Sequence, residues 1–187
     1  QVDEDIFLVV HTPTKCYKYD ATTQTYTDIT GSVTLTGGSM ALVSAVNFNN
    51  WYIFTNCASN TPKYWDGGAA IADLGGGAPR CRYLTIYKNR LIAAYTIEDG
   101  TTCPYRVRWS NAGNPQAWDA NDYIDLVENE NGFNGQITGI SQVGNYLAVF
   151  RRNGVHLIGH YSGAFPSFNE TVESGRGCIA PWSIQPV

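Results

Sequence analysis

Apolar and polar residues alternate with a period of two along much of the chain, the spacing of a half-buried β-strand. Residues 15–19 (Lys-Cys-Tyr-Lys-Tyr) and 26–29 show it. Other short runs are mostly apolar and rich in β-branched or aromatic side chains: 6–10, 41–48, 51–55, 81–87, 90–95, 137–143, 146–151 and 155–160. Shorter strands are predicted at 63–65, 70–74, 105–110 and 123–127. The segments between them are turn or loop chemistries: Asn49-Asn50, Asp66-Gly67-Gly68, Gly75-Gly76-Gly77-Ala78-Pro79, Lys88-Asn89, Glu98-Asp99-Gly100, Gly144-Asn145 and Asn153-Gly154. Strands linked by such turns form antiparallel meanders. Asn153-Gly154 predicts a type I′ hairpin, because both residues tolerate positive φ.

The strand pattern repeats. Asn50-Trp-Tyr-Ile-Phe54, Asn89-Arg-Leu-Ile-Ala93 and Asn145-Tyr-Leu-Ala-Val149 each place a turn Asn before an apolar run, and each follows a strand of similar length. The first interval is about 40 residues; the second is longer because 111–134 is rich in Asn, Pro, Gly and Asp. About four strands per period is the layout of a β-propeller blade. One four-stranded sheet cannot bury either of its faces alone. Neighbouring blades cover both, so the inner strands read as nearly continuous apolar runs. The expected fold is all-β: a propeller-like array with blades near 1–38, 39–79, 80–134 and 135–177, and a further blade starting at 178–187. Four blades and an unfinished fifth predict an incomplete ring, or a piece of a longer chain.

Composition supports this reading. Hydrophobic residues make up 43% and charged residues 15%, which excludes a disordered polyelectrolyte. The net charge is −4 and the basic residues are scattered, unlike a nucleic-acid-binding face. Strand alternation puts Arg80 with Arg82, and Arg106 with Arg108, on shared faces expected to be solvated. The five cysteines (Cys16, Cys57, Cys81, Cys103, Cys178) are widely spaced and lack a C-x-x-C pair, which excludes a zinc ribbon or thioredoxin motif. Mostly buried, reduced thiols are expected, with a Cys57–Cys81 disulfide left open. No apolar stretch approaches the roughly 18 residues of a membrane span, and no signal peptide is visible.

Candidate chemistry is sparse. His156 and His160 are four apart, but on a strand that separates them by roughly 13 Å, too far for one ion; His11 stands alone. The acids Asp119, Asp122, Asp125, Glu128 and Glu130 cluster in sequence, as paired carboxylates for glycoside hydrolysis would. Asp119, Asn121 and Asp122 could ligate Ca²⁺, but without EF-hand spacing. No nucleophile elbow, P-loop or dinucleotide fingerprint occurs. Asn169-Glu-Thr171 is a glycosylation sequon. No catalytic, cofactor or metal site is expected. The aromatics Trp109, Trp118 and Tyr123, with Trp65, are candidates either for an interface or glycan-stacking surface or for packing between blades.

The order YLTIYKNRLIAAYT at 83–96, YRVRWSNAGNPQAWDANDYIDL at 105–126 and GQITGISQVGNYLAVFRRNGVHLI at 135–158 resembles tail structural proteins of tailed bacteriophages, of the propeller-bearing tail nozzle (tail tubular) type. KYWDGG at 63–68 and GCIAPWSI at 177–184 fit the same pattern. The chain is shorter than those proteins and lacks their non-propeller parts. The resemblance implies a non-enzymatic virion protein made in the bacterial host cytoplasm. It would act in a homo-oligomeric ring with other virion proteins, as a scaffold or a conduit for DNA passing without sequence-specific contact. Two other readings compete. One is a carbohydrate-binding propeller using Trp109, Trp118 and Tyr123. The other is a propeller glycosidase using the acids of 119–130, although the sialidase-type Asp box is missing.

Overall fold

The alternating runs become strands, and the strands form four separate antiparallel sheets. The computed structural model describes residues 7–38, 42–57, 59–126, 135–160, 163, 165–166, 168–174, 177–180 and 183–184, with 168–174 described along the backbone. The first sheet holds β1 (Leu8–His11), β2 (Cys16–Asp20) and β3 (Thr25–Asp28). The second holds β4 (Val43–Phe48), β5 (Trp51–Asn56), β6 (Lys63–Trp65) and β7 (Ala72–Asp73). The third holds β8 (Arg80–Tyr87), β9 (Arg90–Glu98), β10 (Thr101–Trp109) and β11 (Tyr123–Asp125). The fourth holds β12 (Ile137–Val143), β13 (Tyr146–Arg151), β14 (Gly154–Gly159) and β15 (Phe168–Ser174). Each sheet is a meander, its strands paired in chain order, and the described residues contain no α-helix.

Turn chemistry sets the registers. Asn49-Asn50 and Lys88-Asn89 both take left-handed φ, 48° and 65° in the first, 48° and 57° in the second. They close two-residue hairpins that pair Phe48 with Trp51 and Tyr87 with Arg90. Asp99-Gly100 does the same between β9 and β10, so those strands run longer than the apolar pattern suggests. One turn differs from expectation. Arg151 pairs with Gly154, so the β13–β14 turn is Arg152-Asn153 and Gly154 already belongs to β14. Neither Asn153 nor Gly154 is left-handed, so this is not the type I′ turn that Asn-Gly predicts. Strand β15 was not visible in the sequence at all.

Three hydrophobic cores fill the seams between successive sheets. Between the first and second lie Cys16, Ile29, Leu35, Phe54, Trp65 and Ile71. Between the second and third lie Phe48, Ile53, Leu74, Cys81, Leu84, Leu91 and Ala93. The third seam is the largest and includes Tyr87, Ile92, Val107, Trp109, Ile137, Leu147, Val149 and Ile158. The leading strands meet, β4 packing on β8 and β8 on β12. The third sheet therefore buries both faces: Leu91 and Ala93 of β9 face one seam, Ile92 and Ala94 the other. That is why β9 reads as an unbroken apolar run.

Polar groups stitch the seams where backbone would otherwise be orphaned. The Leu84 amide donates to Ser44 Oγ (3.0 Å), tying β8 to β4. The buried Thr55 hydroxyl donates to the Cys81 carbonyl. The Tyr87 hydroxyl crosses the third seam to the Asn145 carbonyl. Each supplies a partner for a backbone group that would cost about 1–3 kcal/mol if buried without one.

Candidate functional site

The expected aromatic platform is dispersed. Trp109 sits on β10 with its ring inside the third seam, 3% exposed, edge-on to Phe165 at 5.0 Å. Trp118 lies in the 111–122 loop, half-buried against the second seam, its indole NH donating to the Pro115 carbonyl (2.7 Å). Trp65 is 4% exposed in the first seam, and its NH donates to the Gly68 carbonyl. Of the three residues proposed to stack on a sugar, Tyr123 alone is exposed, at 39%. Trp109 offers no face to a ligand, because one buried tryptophan in a seam is worth more than one left at the surface.

The 111–122 loop clamps two sheets. Its Gly113 amide donates to the Asn89 carbonyl (2.7 Å), and Asn49 Nδ2 donates to the Gly113 carbonyl (3.2 Å). The two Asn-led hairpin turns are thereby joined through one residue. Further along, Gln116 Nε2 donates to the Leu74 carbonyl (2.6 Å), and the Gln116 backbone presses against Gly76.

Arg82, Arg106 and Arg108 are not solvated, which corrects the sequence expectation for three of the four arginines. Arg106 and Arg108 do share a face, but that face carries Glu98 and Asp125 from the flanking strands. Register puts Arg106 opposite Asp125, and the guanidinium meets the carboxylate with two bonds, Nε to Oδ1 and Nη2 to Oδ2, each 2.7 Å. Arg108, 7% exposed, donates to Glu98 Oε2 (3.0 Å) and to the Asp119 carbonyl (2.6 Å). The Arg106 guanidinium also lies 3.9 Å from the centre of the Tyr123 ring. Asp125 raises the Arg106 pKa further by hydrogen bonding, so the guanidinium stays charged. On β8, Arg82 stacks over Tyr95 at 3.9 Å, whereas Arg80 is exposed. These charges hold β11 and the clamp loop onto the third sheet.

The remaining candidates do not converge. Asp119 and Asn121 are exposed and Asp125 is held by Arg106, while Glu128 and Glu130 lie outside the described residues. Among the described residues no group of three or more His, Cys, Asp or Glu side chains could hold a metal ion. His11 bonds the Tyr52 hydroxyl (2.9 Å) across the first seam, and burial lowers its pKa to about 4. His156 is 5% exposed beside Arg151; burial first, then that guanidinium, lowers it to about 4 as well. The thiols are all free, and Cys57 and Cys81 are not bonded. Only Cys16 and Cys81 are buried, and burial pushes both up to about 12, which removes nucleophilic thiolate. Cys57, Cys103 and Cys178 are half-buried, so "mostly buried" does not describe the set. A shallow cleft of about 520 Å³ opens beside Tyr105, Gln136, Thr138 and Arg152. It pairs no acid with a base. Among the described residues no helix is long and apolar enough to cross a membrane.

Seams lined by aromatics and bridged by polar staples, repeated sheet after sheet, define a β-propeller-like array. Comparison with solved structures agrees. The crystal structure of BBS1N in complex with ARL6DN, a β-propeller, matches with a TM-score of 0.52 at 14% identity, over 87% of this chain and 48% of that one. At that identity the likeness shows the fold alone, and the chain spans about half the length of that neighbour. No family model matches the chain, and no curated protein does.

Proposed function

We propose that the chain is a structural module of a ring assembly, working by shape rather than by reactive groups. The observation that carries this is where its strongest binding groups are spent: Trp65, Trp109 and Trp118 are packed in the seams, and Arg106 and Arg108 are paired within the third sheet. The resemblance of 83–126 and 135–158 to propeller-bearing tail nozzle proteins supplies the context, the distal tail of a tailed bacteriophage. There a rigid β-array would act as scaffold or as conduit wall. A net charge of −4 suits such a wall, because a mildly acidic protein does not hold a passing duplex. The glycan-binding reading is left with Tyr123 alone as a platform, and no observation favours it.

The test is composition and location. Mass spectrometry of purified particles should find the chain, and gold-labelled antibody should mark the distal tail. Purified particles without the chain would refute the reading.

A further inference from the structure

The shallow cleft of about 520 Å³ opens where the third and fourth sheets meet, beside the start of β12 and the end of β13. Both sheets contribute to its described lining. Pro104 and Tyr105 of β10 stand on one side, Gln136, Thr138 and Arg152 on the other, and Ile179 forms an apolar lip. The frame around it is fixed by close contacts. The buried Arg151 guanidinium donates through Nε to the Gly135 carbonyl (2.7 Å) and lies 5.2 Å from the centre of the Tyr105 ring. The Cys178 amide donates to the Arg151 carbonyl (2.9 Å), which pins Ile179 beside the β13–β14 turn. Two glycines press on that turn. A Cβ at Gly135 would stand 2.7 Å from Arg152 Cβ, and one at Gly177 would collide with the Arg151 carbonyl. A cleft framed in this way is formed before a ligand arrives, which lowers the cost of ordering it.

Two polar groups in this frame are unspent. Arg152 is exposed, and among the described residues its side chain makes no hydrogen bond or ion pair. Arg106, Arg108 and Arg151 each hold a carboxylate or a carbonyl. Thr138 is 9% exposed, and its hydroxyl oxygen is buried without a hydrogen-bond partner. The hydroxyls of Thr55 and Ser110, equally buried, bond the Cys81 carbonyl and the Leu91 amide. Native folds rarely leave a buried hydroxyl orphaned, and one beneath a cleft calls for a partner from outside the fold.

Charge and shape narrow that partner. No described acid lines the cleft, so Arg152 presents one uncompensated positive charge. A carboxylate matches it in sign and magnitude and accepts paired N–H bonds from a guanidinium. A phosphate monoester, with a charge of about −1.5 to −2, would leave much of its own unmatched. A free small molecule normally buries roughly 70–90% of its surface, which a shallow cleft cannot provide. A side chain whose backbone stays outside needs only to insert its tip. Tyr105, Pro104 and Ile179 offer apolar surface to a short methylene stem.

We propose that this cleft is a docking socket for a glutamate side chain on an acidic peptide segment of a partner protein. The carboxylate pairs with Arg152 and accepts from the Thr138 hydroxyl, which turns about its Cα–Cβ bond to reach it. The glutamate methylenes lie against Tyr105 and Ile179. The socket goes beyond the scaffold reading and does not depend on it.

The test is a titration of the isotope-labelled 187-residue chain, followed by amide NMR shifts, with acetyl-Ala-Glu-Ala-amide. Its controls are acetyl-Ala-Gln-Ala-amide, sodium acetate and inorganic phosphate. The glutamate peptide should shift the amides of Tyr105, Gln136, Thr138 and Arg152 with a Kd on the order of 1 mM, and each control should bind at least about 10-fold more weakly. Arg152→Gln should weaken the peptide about 10-fold or more with an unchanged urea midpoint, because Arg152 holds no partner in the free chain. Thr138→Val should weaken it about 5- to 10-fold while the urea midpoint stays or rises, because an orphaned hydroxyl is removed. A merely structural threonine would lower the midpoint and leave binding alone, and that result overturns the proposal. So do an absence of shifts up to about 10 mM peptide, equal binding of the glutamine peptide, and equal binding of acetate or phosphate, which would mark a site for free anions. None of these touches the scaffold reading, which falls on particle composition.

Discussion

Replacing Gly76 by alanine should unlock the clamp between the second and third sheets. Gly76 has φ near +60°, and a Cβ built there would stand 1.5 Å from the Gln116 carbonyl oxygen, a backbone atom that no rotamer change can move aside. The left-handed conformation alone costs alanine roughly 1–2 kcal/mol. The collision must then be relieved by lifting the 111–122 loop. That breaks the Gln116–Leu74 bond, about 1–3 kcal/mol for a buried pair, and loosens Trp118, another 1–3 kcal/mol of lost packing. The expected loss is about 3–8 kcal/mol, a large part of the 5–15 kcal/mol that stabilises a typical domain.

Gly67 supplies the control. It also has positive φ, +92°, but nothing lies within 4 Å of its Cβ position. Gly67→Ala should therefore cost the strain alone, about 1–2 kcal/mol. Both substitutions restrict the unfolded chain equally, so that contribution cancels between them. Urea unfolding followed by tryptophan fluorescence measures the difference, and in Gly76→Ala the emission of Trp118 should shift red at zero denaturant. Equal losses in the two variants would show that the close approach of Gly76 to Gln116 carries no energy, and the clamp would be discarded.

Three further outcomes are expected. Arg108→Met leaves Glu98 with the Thr96 hydroxyl (2.6 Å) and the longer Arg106 contact (3.5 Å) and frees the Asp119 carbonyl; unfolding should show a loss of about 3 kcal/mol, the low end for removing one partner of a buried pair, and a loss under about 1 kcal/mol would contradict the network. Acid should destabilise the fold before the carboxylates titrate. His11 has a folded pKa near 4, below its unfolded value, so its contribution is complete above about pH 6.5 and disappears as pH falls toward 4, about 3 kcal/mol in all. His11→Phe, which keeps the packing against Phe54, should reduce the slope of the stability profile between those values and leave the part due to His156; an unchanged slope would count against burial of the neutral His11 ring. With Ellman's reagent under native conditions, Cys57, Cys103 and Cys178 should react quickly and Cys16 and Cys81 only at the unfolding rate, while five fast thiols would refute the packed seams.

How far the sequence could be read depends on whether the cause of each feature is local. The hairpins at Asn50, Asn89 and Asn145 were legible because a turn residue beside an apolar run acts over a few positions. The continuous apolar reading of β9 was legible because both faces of a central sheet are covered. Strand β15 was not: Phe168-Asn-Glu-Thr-Val-Glu-Ser174 is mostly polar, and its conformation comes from pairing with β14, Gly159 against Phe168 and His156 against Thr171. The turn before Gly154 was misplaced for a similar reason. Pairing along β13 and β14 fixes Arg151 against Gly154, and that register overrides the local preference of Asn-Gly.

The candidate site was less legible than the fold, and Arg106 shows why. Its sequence neighbours, Tyr105 and Val107, say nothing of its partner. Asp125 lies far along the chain and is brought opposite by the β10–β11 register, and Glu98 reaches the same face from β9. Without that register an arginine on a strand is expected to face solvent; with it, the guanidinium holds an edge strand and a loop in place. Trp109 and Tyr123 make the same point in opposite directions. They were equal candidates by composition, yet Trp109 lies inside the third seam and Tyr123 lies on the opposite face of the sheet, at its edge, exposed beside Arg106. In a stacked array, the side of the sheet decides whether a residue builds the fold or is available to a partner.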